Sequence, residues 1–166
     1  MSISKLIILR GPSGSGKSST AKKLRELSTD RVAIVEQDYV RRVILKEKDT
    51  PDGHNIALLA AIVLTCLDKG YTVILEGILT RKHYGTMLAQ LYTAHPVHNY
   101  IYYFDVSLDE TLKRHATKPN SQDFGETEMR RWYEASDLLG APGEKIIAET
   151  LNQDEIVALI MGDAVL

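Results

Sequence analysis

Short apolar runs alternate along the chain with longer segments in which apolar residues recur at helical spacing. The apolar runs predict strands at residues 5–9, 31–35, 72–75, 98–104 and 145–148. The other segments predict helices at residues 18–27, 39–48, 55–69, 81–94, 108–117, 126–139 and 154–161. Strands that alternate with helices are typical of a parallel sheet covered on both faces. The pattern therefore predicts an α/β domain with three layers.

Composition favours one globular domain over residues 1–166, since 44% of the residues are hydrophobic and 25% are charged. The formal net charge of −2 argues against nonspecific binding to nucleic acid, and the single Cys66 excludes an internal disulfide framework. The first residues lead into a strand-like segment without a signal-peptide pattern, and no apolar run has the length of a bilayer span. We therefore expect a cytoplasmic protein with no membrane partner.

Residues 11–18 match the P-loop (Walker A) pattern G-x-x-x-x-G-K-[ST] in full. Glycines let the backbone turn its N–H groups toward phosphate oxygens, and the following helix adds its positive end. Lys17 would reach the β- and γ-phosphates, and the Ser18 hydroxyl would bind Mg²⁺. We expect ATP and Mg²⁺ to bind here, in contact with Gly11, Pro12, Ser13, Gly14, Ser15, Gly16, Lys17, Ser18 and Ser19.

The rest of the sequence narrows the class of P-loop protein. A regulatory GTPase should carry an N-K-x-D segment, which this sequence lacks, and the chain is short for the larger ATPase motors. Transfer of the γ-phosphoryl group to a small acceptor, or its hydrolysis, fits what is left. Transfer needs positioning, neutralisation of charge and a group that accepts the proton of the acceptor.

Two carboxylates follow predicted strands on the side of the sheet where the P-loop lies. Asp38 is the predicted catalytic base, although its position also suits a helix N-cap, and the two roles are compatible. Arg41, three residues later on the same helix face, would orient the acceptor, whereas Arg42 is expected to face solvent. Glu76 would either hold the metal through water or contact the acceptor; as an alternative, it accepts hydrogen bonds at the sheet edge.

Residues 112–128 predict a lid over the phosphates, because a basic helix end leads into a polar stretch that contains proline. Arg114 is predicted to neutralise charge during transfer, with a solvated surface charge as an equal alternative. Lys118, Arg130 and Arg131 are weaker candidates for the same role. We call residues 112–128 the lid segment.

Together these motifs resemble the small P-loop kinases. The P-loop, the Gln37-Asp38-x-x-Arg41 segment, the strand end at Glu76 and the segment around Arg114 are similar to the branch that holds polynucleotide 5′-hydroxyl kinases, chloramphenicol phosphotransferase and zeta-toxin-like proteins. The resemblance implies a five-stranded parallel sheet in the order 2-3-1-4-5, a requirement for ATP and Mg²⁺, and a lid with an arginine. It also implies that Asp38 is the base and that Arg41 holds an acceptor phosphate or a neighbouring polar group.

These observations lead to three hypotheses about function. The first is an ATP-dependent kinase that phosphorylates an alcohol group of a small molecule, such as a nucleoside, a sugar or an antibiotic. The second is a polynucleotide 5′-hydroxyl kinase, which is less favoured because the sequence shows no attached phosphatase or ligase domain and no broad basic face. The third is a nucleotide-binding switch with little catalysis.

Overall fold

The structure, a computed structural model, describes residues 4–95, 98–119 and 121–166. The strands of these residues are Leu6–Arg10 (β1), Val32–Glu36 (β2), Thr72–Gly77 (β3), Asn99–Asp105 (β4) and Lys145–Ala148 (β5). The α-helices are Lys17–Leu27 (α1), His54–Asp68 (α2), Arg81–Ala94 (α3), Leu108–Ala116 (α4), Glu126–Trp132 (α5) and Gln153–Ala164 (α6). A π-helix, Tyr39–Ile44, follows β2. Among the described helices, none is long and apolar enough to cross a bilayer.

The strands form one parallel sheet in the order β2-β3-β1-β4-β5, which confirms the predicted order. β1 lies at the centre, and all five of its residues are buried. Its register pairs Leu9 with Glu76 and Arg10 with Gly77. The carboxyl ends of β1 and β3 therefore lie side by side, and ligands of parallel sheets bind at this edge.

Successive residues of β1 point into two separate cores. Leu6 and Ile8 pack on one face with α2 and α3, whereas Ile7 and Leu9 pack on the other face with α1 and α6. A strand buried on both faces needs a continuous apolar run, which this segment has. The predicted three-layer α/β architecture is confirmed.

Two predicted helices are longer than the helices of the structure. The π-helix that replaces helix 39–48 ends at Ile44, and Lys46 then adopts a left-handed conformation with φ 52°. α5 ends at Trp132, not at residue 139, and Ser136 has φ 50°. Positive φ values interrupt a right-handed helix, and apolar spacing alone does not reveal them.

A fully buried arginine attaches the chain after α5 to the central strand. The guanidinium of Arg10 donates to the carbonyl of Leu79, to the carbonyl and Oδ2 of Asp137, and to Oε1 of Glu144. The Oδ2 distance is 2.9 Å and the Oε1 distance is 3.3 Å. The pKa of Arg10 is lowered, mainly by burial, while the negative charges of Asp137 and Glu144 act to raise it. Residues 133–144 are therefore fixed as a loop.

Candidate active site

The P-loop packs closely against β4 and α4. Gly11 has φ 145° and Gly14 has φ 80°, conformations that L side chains rarely adopt. A Cβ atom on Gly11 would lie 2.7 Å from the carbonyl oxygen of Phe104, and one on Gly14 would lie 2.9 Å from that of Thr111. Glycine is thus required at both positions for conformation and for space.

The side chain of Lys17 is buried inside the loop. Its Nζ donates to the carbonyl of Pro12 at 2.8 Å and to Oγ of Ser15 at 3.2 Å. Burial lowers the pKa of Lys17 to about 8, although the negative charges of Glu76 and Asp38 act to raise it. A buried ammonium group favours an anion beside it, because its own hydration has been lost.

Ser18 and Glu76 meet next to this lysine. Oγ of Ser18 donates to Oε1 of Glu76 at 2.8 Å, and Glu76 is 5% exposed. Burial is the main cause that raises the pKa of Glu76, whereas Lys17 and the Ser18 hydroxyl lower it. A hydroxyl and a carboxylate fit Mg²⁺, which usually binds one or two protein oxygens together with phosphates and water. The Glu76 carboxylate thus lies beside the P-loop, against the first turn of α1.

Asp38 lies two residues beyond β2, directly before the π-helix. Its side chain makes no capping hydrogen bond to that helix, so the N-cap interpretation is not seen. Instead, Oδ1 forms ion pairs with Nη2 of Arg41 at 2.9 Å and with Nε of Arg42 at 3.4 Å. Its charge also acts on the pKa of Lys17, as expected for a carboxylate on the P-loop edge.

The two arginines after Asp38 are held in different ways. Arg41 is 11% exposed and also donates to the carbonyl of Glu47, within its own segment of the chain. Arg42 is exposed, as expected, and its guanidinium also lies 5.7 Å from the ring centre of Phe124 and 5.3 Å from that of Trp132. Helix spacing does not reveal these ring contacts, because the rings belong to the lid segment and to the end of α5.

A cleft of about 750 Å³ extends from Asp38 toward α5. The basic residues that line it are Arg41, Arg42, Lys48, Lys82 and Arg131. The acidic residues that line it are Asp38, Asp49, Asp123, Glu128 and Glu134. We call it the mixed-charge cleft. Its volume is in the range of pockets that bind small molecules.

A buried network of polar side chains supports this cleft. Nε2 of Gln37 donates to the hydroxyl of Tyr84 at 2.9 Å. The same hydroxyl lies 2.8 Å from Oδ1 of Asp49 and 3.0 Å from Oδ1 of Asn55. Burial, the main cause, and the Asp49 carboxylate raise the pKa of Tyr84, so its hydroxyl stays neutral. Local sequence patterns do not reveal this network, because its members come from four separate segments of the chain.

Arg114 lies in the last turn of α4, against the P-loop. Its Nη1 donates to the carbonyl of Ser15 at 3.2 Å, its Nη2 to the carbonyl of Glu149 at 3.1 Å, and its Nε to Oε1 of Glu110 at 2.9 Å. The guanidinium therefore fixes α4 against the P-loop and is not a solvated surface charge. Beside it, a cavity of about 280 Å³ lies between the P-loop, the end of α4 and the start of α6. We call it the α4–α6 cavity.

The other basic residues of the lid segment differ in position. Lys118 is exposed at the α4–α6 cavity. Its pKa is lowered mainly by partial loss of hydration, whereas the negative charge of Glu76 acts to raise it. Arg130 is an exposed partner of Glu126, whereas Arg131 lines the mixed-charge cleft. Asn120, within the predicted lid segment, lies outside the described residues.

A family model described as an AAA domain matches residues 6–142. The chain belongs to the AAA domain family. No curated protein sequence matches this AAA domain protein. Its similarity to solved structures is clear, however, and extends to both ends of the described fold.

Three solved structures illustrate this similarity. The APS kinase CysC of Mycobacterium tuberculosis, in complex with AMPPNP and APS, has a TM-score of 0.71 at 17% identity, with 98% of each chain covered. A gluconokinase from Sinorhizobium meliloti has a TM-score of 0.66 at 17% identity, covering 99% of this chain and 94% of that one. A chain of the Pnkp1/Rnl/Hen1 RNA repair complex has a TM-score of 0.61 at 21% identity, covering 80% of this chain and 43% of that one. At these identities the comparisons establish a fold like that of P-loop kinases.

Proposed function

We propose that this AAA domain protein is an ATP-dependent kinase that transfers the γ-phosphoryl group to a hydroxyl of a small polar molecule. The position of Asp38 is the observation that carries the proposal. Its carboxylate lies near enough to Lys17 to act on that group's pKa, and it also lines the mixed-charge cleft. A carboxylate between the P-loop and a small-molecule cleft is well placed to accept the proton of an acceptor hydroxyl bound in that cleft.

The P-loop side would hold the nucleotide. Backbone N–H groups of residues 11–18 and the Lys17 ammonium would bind the β- and γ-phosphates. Ser18 and Glu76 would hold Mg²⁺, which neutralises phosphate charge when bound. The α4–α6 cavity opens directly from this loop at Ser15, so it would receive the nucleoside part. The structure of the similar APS kinase, which contains AMPPNP, supports a nucleotide in this fold.

Transfer would begin when Asp38 accepts the proton of the acceptor hydroxyl. The acceptor oxygen then forms a bond to the γ-phosphorus, and the bond from that phosphorus to the β–γ bridging oxygen breaks. ADP leaves with the electron pair of the broken bond. Lys118 carries the lid charge that would neutralise the moving phosphoryl group, because Arg114 is already engaged by three oxygens of the protein.

The mixed-charge cleft supports a small polar acceptor. Equal numbers of basic and acidic side chains line it, so it offers partners to hydroxyl groups and to charged groups of either sign. Arg41, fixed by Asp38 and Glu47, would orient a polar group next to the reacting hydroxyl. Structural similarity to proteins named as a gluconokinase and a sugar kinase agrees with this acceptor class. We place the activity in the cytoplasm, where ATP and Mg²⁺ are abundant.

A polynucleotide 5′-hydroxyl kinase is the second candidate. The ion pair between Asp38 and Arg41 fits the spacing found in such enzymes, and an RNA repair complex is among the similar structures. The balanced charge of the cleft and the net charge of −2 favour the small acceptor instead, because polynucleotide binding depends on basic surfaces.

A panel of acceptors tests these proposals. ADP release would be measured with ATP and Mg²⁺, with and without nucleosides, sugars, antibiotics bearing hydroxyl groups, and a 5′-OH oligonucleotide. Release that depends on one small acceptor, and phosphate found on that acceptor, supports the proposed kinase. Labelled phosphate on the oligonucleotide alone would favour the second candidate. ATP binding without acceptor-dependent release across the panel would indicate a nucleotide switch instead.

A further inference from the structure

We propose that Arg42 is a positioning residue for Asp38, held by the aromatic pair Phe124 and Trp132 on the opposite wall of the mixed-charge cleft. The inference rests on the proposed function, in which Asp38 is the base. It adds a second arginine to the site and assigns a role to two aromatic residues. None of the three was predicted to take part in the reaction.

The guanidinium of Arg42 contacts both walls of the cleft at once. Its Nε lies 3.4 Å from Oδ1 of Asp38, while its Cζ lies 5.7 Å and 5.3 Å from the ring centres of Phe124 and Trp132. Both ring distances fall within the range of cation–π contacts. A planar guanidinium suits this arrangement, since it can pair with a carboxylate at its edge while its face lies near an aromatic ring.

The aromatic pair is itself held in place. The rings of Phe124 and Trp132 meet edge to face, with their centres 5.2 Å apart. The Phe124 ring also stacks on His115 at 4.5 Å, and Nε2 of His115 lies 2.8 Å from the Phe124 carbonyl oxygen. His115 is buried on α4, next to Arg114, which contacts the P-loop at Ser15. The wall that supports Arg42 is thus attached to the phosphate site.

The two arginines act on the same oxygen of Asp38. Nη2 of Arg41 donates to Oδ1, and Nε of Arg42 faces Oδ1 as well. Among the described residues, no hydrogen bond is made to Oδ2, whereas Oδ1 accepts one from Arg41. Two cations on one oxygen fix the rotation of a carboxylate that is half exposed, and Oδ2 is then the oxygen left to accept the proton of the acceptor.

The supports of the two arginines differ, and this difference gives Arg42 a distinct role. Arg41 is held by the carbonyl of Glu47 in its own segment, so its contact with Asp38 does not depend on the lid segment. Arg42 is held by Phe124 of the lid segment and by Trp132 of α5. Asp38 is therefore fully oriented only when the two walls of the cleft meet.

Trp132 allows this connection to be measured without any substrate, because it is the single tryptophan of the chain. Its emission would be recorded for the wild type, Asp38→Asn, Arg42→Gln and the double variant. We expect both single variants to shift the emission. Arg42→Gln removes the guanidinium beside the Trp132 ring, and Asp38→Asn removes the charge that pairs with this guanidinium. In the Arg42→Gln background, the Asp38 substitution should add nothing. Arg25→Gln, a change of an exposed arginine on α1, is the control and should leave the spectrum unchanged.

The emission data have outcomes that overturn the proposal. If Asp38→Asn leaves the emission of Trp132 unchanged, Arg42 does not connect the two residues. If the shift caused by Asp38→Asn persists in the Arg42→Gln background, the connection runs through other groups. Circular dichroism melting of each variant identifies proteins that have failed to fold, and Arg42→Lys, which keeps the charge, replaces Arg42→Gln where needed.

Kinetics with the acceptor found in the panel complete the test. We expect Arg42→Gln to lower kcat by about 10- to 100-fold, with the KM for ATP changed less than about twofold. Arg42→Lys should recover part of kcat, because it keeps the positive charge beside Asp38 but loses the planar guanidinium near the rings. An unchanged kcat would overturn the positioning role. Full transfer by Asp38→Asn would refute the proposed base instead, and the emission data separate these two failures.

Discussion

The Ser18 hydroxyl donates a hydrogen bond of 2.8 Å to the Glu76 carboxylate and so connects the first turn of α1 to the end of β3. Both groups are oxygen ligands of the kind that Mg²⁺ prefers, and Lys17 lies close enough to act on the pKa of Glu76. A buried carboxylate is costly without a cation, because it has lost its hydration. The pair therefore indicates where a metal would bind beside the phosphates.

Glu76→Gln should weaken Mg²⁺ binding at this site, so that nucleotide binding needs more Mg²⁺. The substitution keeps the shape of the side chain and removes its charge, so the Mg²⁺ concentration for half-maximal binding of ATP should rise about 10- to 100-fold. Titration of Mg²⁺ with a fluorescent ATP analogue measures this change. Glu36→Gln, at the paired position of β2, is the matched control and should have a much smaller effect. Equal Mg²⁺ requirements for all three proteins would contradict the assignment.

Binding of MgATP should be linked to proton uptake by Lys17. Burial lowers the pKa of this lysine to about 8, and phosphate charge beside it should raise the pKa again. At pH 8 the protein should therefore take up about half a proton per nucleotide bound, and at pH 6 almost none, because Lys17 is already protonated there.

Isothermal titration calorimetry in two buffers of different ionisation enthalpy measures this uptake. Lys17→Arg provides the comparison, since a guanidinium stays charged at both pH values and should take up no proton. Absence of uptake by the wild type at pH 8 would show that the buried ammonium does not titrate with the nucleotide.

Asp38→Asn should abolish phosphoryl transfer while it leaves ATP binding intact. An amide cannot accept the proton of the acceptor hydroxyl, and general bases contribute about 10²- to 10⁴-fold to rates. The measurement is ADP release with the identified acceptor, together with the Kd for ATP. Asp52→Asn, in an exposed turn, is the control. Wild-type transfer by Asp38→Asn would mean that another group accepts the proton.

Asp137→Ala should destabilise the fold, because it leaves the buried guanidinium of Arg10 with Glu144 as its remaining carboxylate partner. Removing one partner of a buried ion pair costs about 3 kcal/mol of unfolding free energy. Urea unfolding measures this cost. Glu126→Ala removes the exposed pair with Arg130 and should cost no more than about 1 kcal/mol. Similar costs for both variants would contradict the role of Arg10.

Much of the fold could be predicted because it depends on local patterns. The helix predicted at 81–94 and the strand predicted at 145–148 have the same bounds in the structure. The helix predicted at 126–139 was too long because its last part is a loop that binds Arg10, a contact between residues more than 120 positions apart. Apolar spacing holds no information about such a contact.

Part of the candidate site could also be predicted, because that part depends on a local motif and on the topology of the sheet. The P-loop is a continuous motif, and the edge rule of parallel sheets brought Asp38 and Glu76 to its side. The aromatic partners of Arg42 across the cleft were not predicted, since Phe124 and Trp132 lie more than 80 residues away, the first on an irregular segment and the second at the end of α5. The roles of these residues in transfer stay predictions until the variants are measured.

Arg10 directly precedes the P-loop and also holds residues 133–144, next to the helix that carries Trp132. Under the proposed function, the donor side and the acceptor side thus share one anchor in a fully buried strand. Under the proposed function, substitutions on the cleft wall would change the acceptor without altering the distance across which phosphate moves. Related proteins with different acceptors would then keep an equivalent of this arginine, while the side chains that line the cleft differ among them.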